Sequence, residues 1–91
     1  MKYFYKPSYL KAFDRLNRKQ QEQVIKTDAL IKKYLETREF HFGLRVKTLR
    51  ENIQEGRVND AIRILWVKQK EEVTFTLVGN HEEVRRFLKN F

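Results

Sequence analysis

The sequence predicts an α+β fold in which a small, mostly antiparallel β-sheet packs one face on a helical hairpin, within a single domain over residues 1–91. In the first part of the chain, apolar residues recur every three or four positions, which is the period of an amphipathic helix. After Arg38 they are mostly β-branched and alternate with polar residues, as in a half-buried strand. Helices and strands that are grouped along the chain favour α+β over alternating α/β folds. The predicted order is β-α-α-β-β-β-α.

The chain opens with a predicted strand and a short helix. Residues 2–6 are rich in aromatic side chains, which favours a strand, and Pro7 ends it. Ser8 is predicted as the N-cap of the first helix, because its hydroxyl can accept a hydrogen bond from a free backbone N–H. The apolar stripe of this helix is predicted to comprise Leu10, Phe13 and Leu16.

A longer helix follows with almost no linker. Asn17 has the character of an N-cap, and Gln20 three residues later completes a capping box. The helix is predicted to run to about Thr37 and to bury Val24, Ile31 and Leu35. Two helices joined this closely predict an antiparallel hairpin.

Three strands and a last helix are predicted after the hairpin. The first strand begins near Leu44, the second covers residues 57–68 and the third residues 72–78, with a polar turn at residues 51–56. Strand alternation turns one set of residues toward the helices: Leu44, Val46, Ile62, Ile64, Trp66, Val73, Phe75 and Leu77. Asn80 is predicted to cap the last helix with Glu83 in a capping box, above an apolar stripe of Val84, Phe87 and Leu88.

The opposite sheet face is predicted to be basic. Its expected residues are Arg45, Lys47, Arg57, Asn59, Arg63, Thr74 and Thr76. Solvated outward side chains are one explanation, but like charges that cluster on neighbouring strands are more easily tolerated when an anion lies between them. A group of apolar residues is expected on the same side, covered by the last helix or by a partner: Leu49, Leu65, Val67 and Val78.

Composition narrows the function classes. The 20 Lys and Arg residues outnumber the 12 Asp and Glu residues and give a net charge of +8, which predicts an anionic partner: nucleic acid, an acidic protein or an anionic membrane surface. The absence of Cys excludes disulfide scaffolds, thiol nucleophiles and thiolate zinc sites. The three glycines are too far apart to form a phosphate-binding loop. We expect no metal, no cofactor and, since no uncharged run approaches about 20 residues, a cytoplasmic protein.

His81 is the residue best suited to proton transfer, because it is expected in the first turn of the last helix beside the basic face. A neutral imidazole can act as a general base, and a protonated one as a general acid or a phosphate ligand. A local capping or loop role is the simpler alternative. For His41, within an aromatic loop, a packing role is expected.

Three segments of the chain follow one another in a particular order and spacing: residues 42–49 (FGLRVKTL), 56–65 (GRVNDAIRIL) and 78–84 (VGNHEEV). Preceded by the helical region at residues 10–35, they resemble the successive strand motifs of the RelE/ParE superfamily of bacterial toxins. The resemblance covers essentially the whole chain. It implies the toxin of a type II toxin–antitoxin pair. In the RelE-like branch such a toxin cleaves mRNA, usually in the ribosomal A site, and an antitoxin silences it by wrapping over it.

The resemblance also implies roles for individual residues. Arg63 falls at the family's catalytic arginine, and His81 matches a histidine that several members use. Together with Lys47 they are the expected catalytic residues, and the residues expected to bind RNA are Arg45, Arg50, Arg57 and Arg85. The chain departs from the better-known nucleases in having no Tyr near its end, where the aromatic residues are Phe87 and Phe91.

Two function classes follow. The first is a ribosome-dependent mRNA endonuclease, with mRNA, the ribosome and an antitoxin as partners. The second is a binding protein without chemistry, either a ParE-like inhibitor of DNA gyrase or a catalytically inactive partner of an antitoxin. His81 favours the nuclease, because an inhibitor has no evident need for a titratable group beside a basic face.

Overall fold

The computed structural model describes residues 1–39 and 41–90. Its helices and strands are, in chain order, β1 (Lys2–Tyr5), α1 (Pro7–Arg15), α2 (Arg18–Thr37), β2 (Lys47–Arg50), β3 (Ile53–Arg57), β4 (Arg63–Gln69), β5 (Glu72–Gly79) and α3 (His81–Lys89). A single 3₁₀ turn, Phe42–Leu44, precedes β2. The predicted α+β class is confirmed, although the sheet of the described chain has five strands where four were predicted. No helix in residues 1–39 and 41–90 is both long and apolar enough to cross a membrane.

The five strands lie in the order β1-β5-β4-β3-β2. β1 pairs with β5 in parallel, and each of the other neighbouring pairs is antiparallel. The mostly antiparallel sheet and the pairing of the first strand with a later one are therefore confirmed. β2 and β1 form the two edges.

The main core lies between the sheet and the helical hairpin. Val24, Ile31 and Leu35 of α2 are buried there, as predicted, against Trp66 and Phe75 of the sheet. The indole N–H of Trp66 donates to Gln54 Oε1 at 3.0 Å. At Gly56 a Cβ would lie 3.0 Å from the Trp66 ring, so glycine lets β3 pass close to the ring without a shift of either.

A second apolar cluster lies on the opposite face of the sheet, beneath α3. Val84 of α3 packs on Ile53 of β3 and Leu65 of β4, and the partly buried residues around them are Leu49, Val67, Leu77, Phe87 and Leu88. The last helix therefore covers part of this face, which was one of the two expected arrangements. We call this face, opposite the helical hairpin, the outer face.

The capping predictions divide into two that are confirmed and one that is wrong. Asn17 and Asn80 each form a complete capping box with the residue three positions later. Ser8 is not an N-cap: Lys6 takes that position and Pro7 begins α1, since proline has no N–H to satisfy. The Ser8 hydroxyl instead donates to the carbonyl oxygen of Thr76 at 2.6 Å and ties α1 to β5.

The apolar stripe of α1 also differs from the prediction. Tyr9 and Ala12 are its buried residues, whereas Leu10 is 50% exposed. The Tyr9 ring packs at a tilt against the rings of Tyr5 and Phe75, with centroid distances of 5.2 and 5.9 Å. Phe13 and Leu16 of the predicted stripe are partly buried against the same core, so the prediction is wrong for Leu10 and lacks Tyr9 and Ala12.

The predicted strand at residues 57–68 is two strands and a loop. β3 ends at Arg57 and β4 begins at Arg63. Between them Asn59 Oδ1 accepts hydrogen bonds from the backbone N–H groups of Ala61 and Ile62, each at 2.8 Å. Asn59 therefore organises a turn and does not belong to a strand face, contrary to the prediction.

A β-bulge in β5 changes which side chains face the helices. Leu65 pairs with Leu77 and Trp66 pairs with Phe75, so Thr76 is an extra residue on β5. Thr76 is fully buried and its hydroxyl donates to the carbonyl oxygen of Leu65 at 3.3 Å. Beyond the bulge, Val78 enters the helix-side core, so its predicted side is wrong. Leu77, predicted to face the helices, packs against both the helix-side core and the cluster beneath α3.

Candidate functional site

Four charged residues share the outer face near the end of the sheet where α3 begins. We call them the charged cluster: Lys47, Glu55, Arg57 and Arg63. Strand register brings them together. Lys47 of β2 lies opposite Glu55 of β3, and Arg57 of β3 lies opposite Arg63 of β4. They alternate along their strands with residues of the helix-side core, so their side chains share the outer face.

The charged cluster contains three cations and one carboxylate, and that carboxylate contacts Arg63. Glu55 Oε1 lies 3.6 Å from Arg63 Nε, and both side chains are largely shielded, with 13% and 15% of their surface exposed. Arg57 is more accessible and contacts the fully exposed Asp60 at 3.8 Å. Lys47 is exposed and makes no ion pair within the described residues. The charged cluster therefore keeps an excess of positive charge.

This arrangement favours an anionic ligand. Like charges placed directly opposite each other on a sheet, such as Arg57 and Arg63, destabilise it. An anion bound between them removes that repulsion, and a guanidinium fork matches the oxygens of a phosphate. The outer face can therefore hold a phosphodiester by its non-bridging oxygens.

His81 begins α3 at the same end of the sheet. Gly79, the last residue of β5, lies opposite Arg63, and His81 follows two residues later as an exposed side chain. A Cβ at Gly79 would lie 2.9 Å from Glu83 Oε1 and 3.1 Å from Glu83 Cβ. Glycine therefore allows Glu83 to close the capping box on Asn80, with bonds of 2.8 and 2.9 Å, and so fixes the start of α3.

The other predicted RNA-binding residues lie elsewhere. Arg45 was predicted on a strand, but it lies exposed between the 3₁₀ turn and β2, with a left-handed φ of 46°. Arg50, at the end of β2, and Arg85, on α3, line a separate open surface together with Glu82, Arg86 and Lys89. Arg85 contacts Glu82 there at 3.5 Å. Phe87 packs beneath α3, and Phe91 lies outside the described residues.

Sequence reasoning missed Glu55, which it placed in a polar turn. β3 is hard to recognise because its inward residues are Gln54 and Gly56, which accommodate the Trp66 ring without being apolar. The remaining signal was the alternation of Ile53, Glu55 and Arg57 on the other side. As for metals, no group of three or more His, Asp and Glu residues in the described chain could hold an ion.

Comparison with known proteins rests on structure, since no family model and no curated protein matches the sequence. YafQ from E. coli strain BL21(DE3) matches over 90% of this chain and 94% of its own, with a TM-score of 0.69 and 8% identity. The YoeB/ParE toxin from Agrobacterium tumefaciens matches over 89% and 99%, with a TM-score of 0.67 and 15% identity. The chain has the RelE/ParE toxin fold.

Several structures with the RelE/ParE toxin fold contain a second protein. The RelB-RelE antitoxin-toxin complex from Methanococcus jannaschii matches over 92% of this chain and 96% of the compared chain, with a TM-score of 0.68 and 12% identity. The E. coli DinJ-YafQ toxin-antitoxin complex matches at a TM-score of 0.66 and 11% identity, over 90% of this chain and 93% of the compared chain. At these identities the likeness establishes the fold, and function has to be argued from the site.

Proposed function

We propose that this chain is the toxin of a type II toxin–antitoxin pair and that it cleaves mRNA on the ribosome as a metal-independent endoribonuclease. One observation carries the proposal: in a RelE/ParE toxin fold, three cations meet on the outer face at the end of the sheet where His81 begins α3. The partners are mRNA, the ribosome and an antitoxin that covers the outer face.

The chemistry needs only groups that the chain and its substrate possess. The 2′-oxygen of the RNA attacks the neighbouring phosphorus and the bond to the 5′-oxygen breaks, which leaves a 2′,3′-cyclic phosphate and a 5′-hydroxyl. One proton leaves the 2′-hydroxyl and one reaches the 5′-oxygen, while negative charge grows on the non-bridging oxygens. A general acid or base and a fixed cationic donor are the groups that accelerate such a step.

The residues of the site fit these tasks. Arg63 is shielded and fixed, and its guanidinium would stabilise the charge on the non-bridging oxygens. His81 would exchange a proton with the 2′-hydroxyl or the 5′-oxygen. Lys47 and Arg57 would hold the scissile and flanking phosphates. Arg45, Arg50 and Arg85 would contact RNA further from the cleaved bond.

The decisive experiment is to induce the wild-type chain and the Arg63→Ala and His81→Ala variants in bacteria and to map mRNA ends by primer extension. The wild type is expected to arrest growth and to produce new 5′-hydroxyl ends. Removal of one such charge-stabilising donor typically costs about 3 to 4 kcal/mol in the transition state, so Arg63→Ala should cleave about 100- to 1,000-fold more slowly. Arg18→Ala is the matched control, because Arg18 is 94% exposed and far along the chain from the site.

Other outcomes separate the remaining function classes. Growth arrest with DNA damage and intact transcripts would contradict the nuclease and favour a ParE-like gyrase inhibitor. Growth without arrest, in a chain that still binds its antitoxin, would indicate an inactive binding module. Equal loss of cleavage in Arg18→Ala and Arg63→Ala would remove the basis for placing the site on the outer face.

A further inference from the structure

Glu55 is the one carboxylate of the charged cluster, and its surroundings are unusual for an acidic residue. Lys47 lies opposite it on β2, Arg57 is two residues away on β3, and Arg63 lies diagonally across on β4. A carboxylate at this position lowers the attraction of the cluster for anions, so it opposes phosphate binding. If Glu55 contributes to the site, it does so by something other than the affinity for phosphate.

The contact with Arg63 indicates what that contribution is. The contact between the Glu55 carboxylate and the Arg63 guanidinium joins Oε1 to Nε, at 3.6 Å. A carboxylate at Nε restrains the rotation of the guanidinium plane, and it leaves the terminal Nη donors available for two oxygens of one phosphate. Glu55, with 13% of its side chain exposed, and Arg63, with 15%, are both held against the sheet, so their contact is restrained by the surrounding fold.

We propose that Glu55 is a positioning residue, which holds the Arg63 guanidinium in the orientation that stabilises the phosphoryl oxygens in the transition state. This inference rests on the proposed endoribonuclease function and assigns Glu55 a part in it. Glu55 neither touches the RNA nor moves a proton. It lowers affinity for RNA slightly and raises the rate of the chemical step, because a fixed donor stabilises developing charge without first having to reorganise.

The proposal predicts opposite effects on binding and on catalysis. Loss of the negative charge in Glu55→Gln and Glu55→Ala should strengthen binding of an RNA by about 2- to 5-fold, since the cluster becomes more positive. Loss of orientation in Glu55→Ala should lower the single-turnover cleavage rate at saturating RNA by about 10- to 100-fold, the range that a misplaced group costs. Glu55→Gln keeps a polar side chain of the same shape beside Nε and should retain more of the rate than Glu55→Ala.

The experiment measures both quantities for the full-length chain. Cleavage is followed on ribosomes programmed with a short mRNA, and binding is measured with the same RNA carrying 2′-methoxy groups, which cannot be cleaved. Thermal unfolding of each variant checks that the fold is retained. Glu72→Ala is the matched control, because Glu72 is an exposed carboxylate at the opposite end of β5 from Gly79 and should change neither quantity.

The possible results separate the two levels of the proposal. Tighter binding with slower cleavage, partly rescued in Glu55→Gln, supports the positioning role. A wild type that cleaves and a Glu55→Ala variant that cleaves equally fast would overturn this inference and leave the proposed function intact. A lower unfolding temperature in both variants with unchanged cleavage would show a purely structural ion pair, and would also overturn it. A wild type that cleaves no RNA would overturn the proposed function and this role with it.

Discussion

Two groups of charged residues border the sheet, and they are built differently. The first, at the β1 edge, is a tyrosine network formed with α2: Tyr3, Tyr5, Asp28, Lys32 and Glu36. Lys32 Nζ lies 3.1 Å from Asp28 Oδ1 and over the rings of Tyr3 and Tyr5, at 5.0 and 5.3 Å from their centroids. The Tyr3 hydroxyl donates to Glu36, and the Tyr5 hydroxyl donates to Asp28. Each charged side chain of this network has a partner of opposite sign or accepts a hydrogen bond from a tyrosine hydroxyl.

The charged cluster on the outer face has no such balance. Three cations surround Glu55, and Arg57 and Arg63 stand directly opposite each other. Charge therefore stabilises the fold at the β1 edge, whereas on the outer face it leaves an excess of cations, which we propose to bind an anionic ligand. A balanced network stabilises the protein without attracting an anion, whereas an unbalanced cluster costs stability and gains a binding surface. The two groups should therefore respond differently to the same perturbations.

Salt is expected to produce the largest difference. Three phosphate contacts by the cations of the charged cluster predict a log–log slope of about −2 for the affinity of a 2′-methoxy RNA against salt, or roughly 20-fold between 50 and 200 mM. Lys47→Gln should reduce the slope by about 0.7, because one phosphate contact is lost. Lys32→Met should leave it unchanged, since Asp28 already neutralises Lys32. The comparison fails if both variants change the slope equally in a fluorescence anisotropy titration.

In unfolding experiments the larger effect should come from Lys32→Met and the smaller one from Lys47→Gln. Lys32→Met keeps an apolar stem over the aromatic rings but leaves Asp28 without its cation, so the free energy of unfolding should fall by about 1 to 2 kcal/mol. Lys33→Met is the control in the same helix, because its ion pair with Glu39 is exposed and should be worth under about 1 kcal/mol. Urea denaturation measures both. A loss in Lys47→Gln as large as in Lys32→Met would contradict the assignment.

Alkaline pH is expected to have the smallest effect, and that effect should come from the tyrosine network. Burial and the hydrogen bond to Asp28 raise the pKa of Tyr5, and burial raises the pKa of Tyr9. Burial lowers the pKa of Lys32, but its contacts with Tyr5 and Asp28 outweigh this, so the pKa lies above its usual value. Groups with a raised pKa in the folded state contribute stability that is fully present below their unfolded pKa, about 10, and that is lost above it.

The free energy of unfolding should therefore be insensitive to these groups between pH 7 and about 9 and should fall as the pH rises beyond about 10. Urea denaturation of the wild type and of Tyr5→Phe across this range measures the effect. Tyr5→Phe should show a shallower fall, since one of the titrating groups is gone. Identical pH profiles for the two proteins would show that Tyr5 does not contribute to the pH dependence of the free energy of unfolding.

Elements with a regular apolar pattern were predictable from the sequence. α2 and α3 have capping boxes and apolar stripes that the structure confirms, and Ile64 and Trp66 alternate as a strand of the core should. β3 was not predictable, because Gln54 and Gly56 line its inward side and no apolar alternation results. Its absence from the prediction concealed Glu55 as well, since a residue assigned to a turn has no register partner.

Two further differences come from backbone geometry that leaves no trace in side-chain patterns. The bulge at Thr76 reverses the faces of the residues after it, and a left-handed φ at Arg45 turns the chain before β2. Arg57 and Arg63 were nevertheless predicted on one face. The sequence predicted this from alternation along a single strand, whereas in the structure the two residues are opposite each other on two paired strands. Residues an even number of positions apart on one strand share a face, and so do two residues paired across strands, so the predicted face agrees with the observed one.

The parallel pairing of β1 with β5 has a consequence for how the chain acquires its structure. Tyr5 and Phe75 are register partners and their rings stack at 5.0 Å, although about 70 positions separate them. Contacts this distant in sequence slow folding, because a long loop must close before they form. At about 5 to 20 residues per second, roughly 4 to 14 s of synthesis separate Tyr5 from Phe75. The sheet therefore closes only after β5 has been synthesised, and the nascent chain carries an incomplete outer face until then.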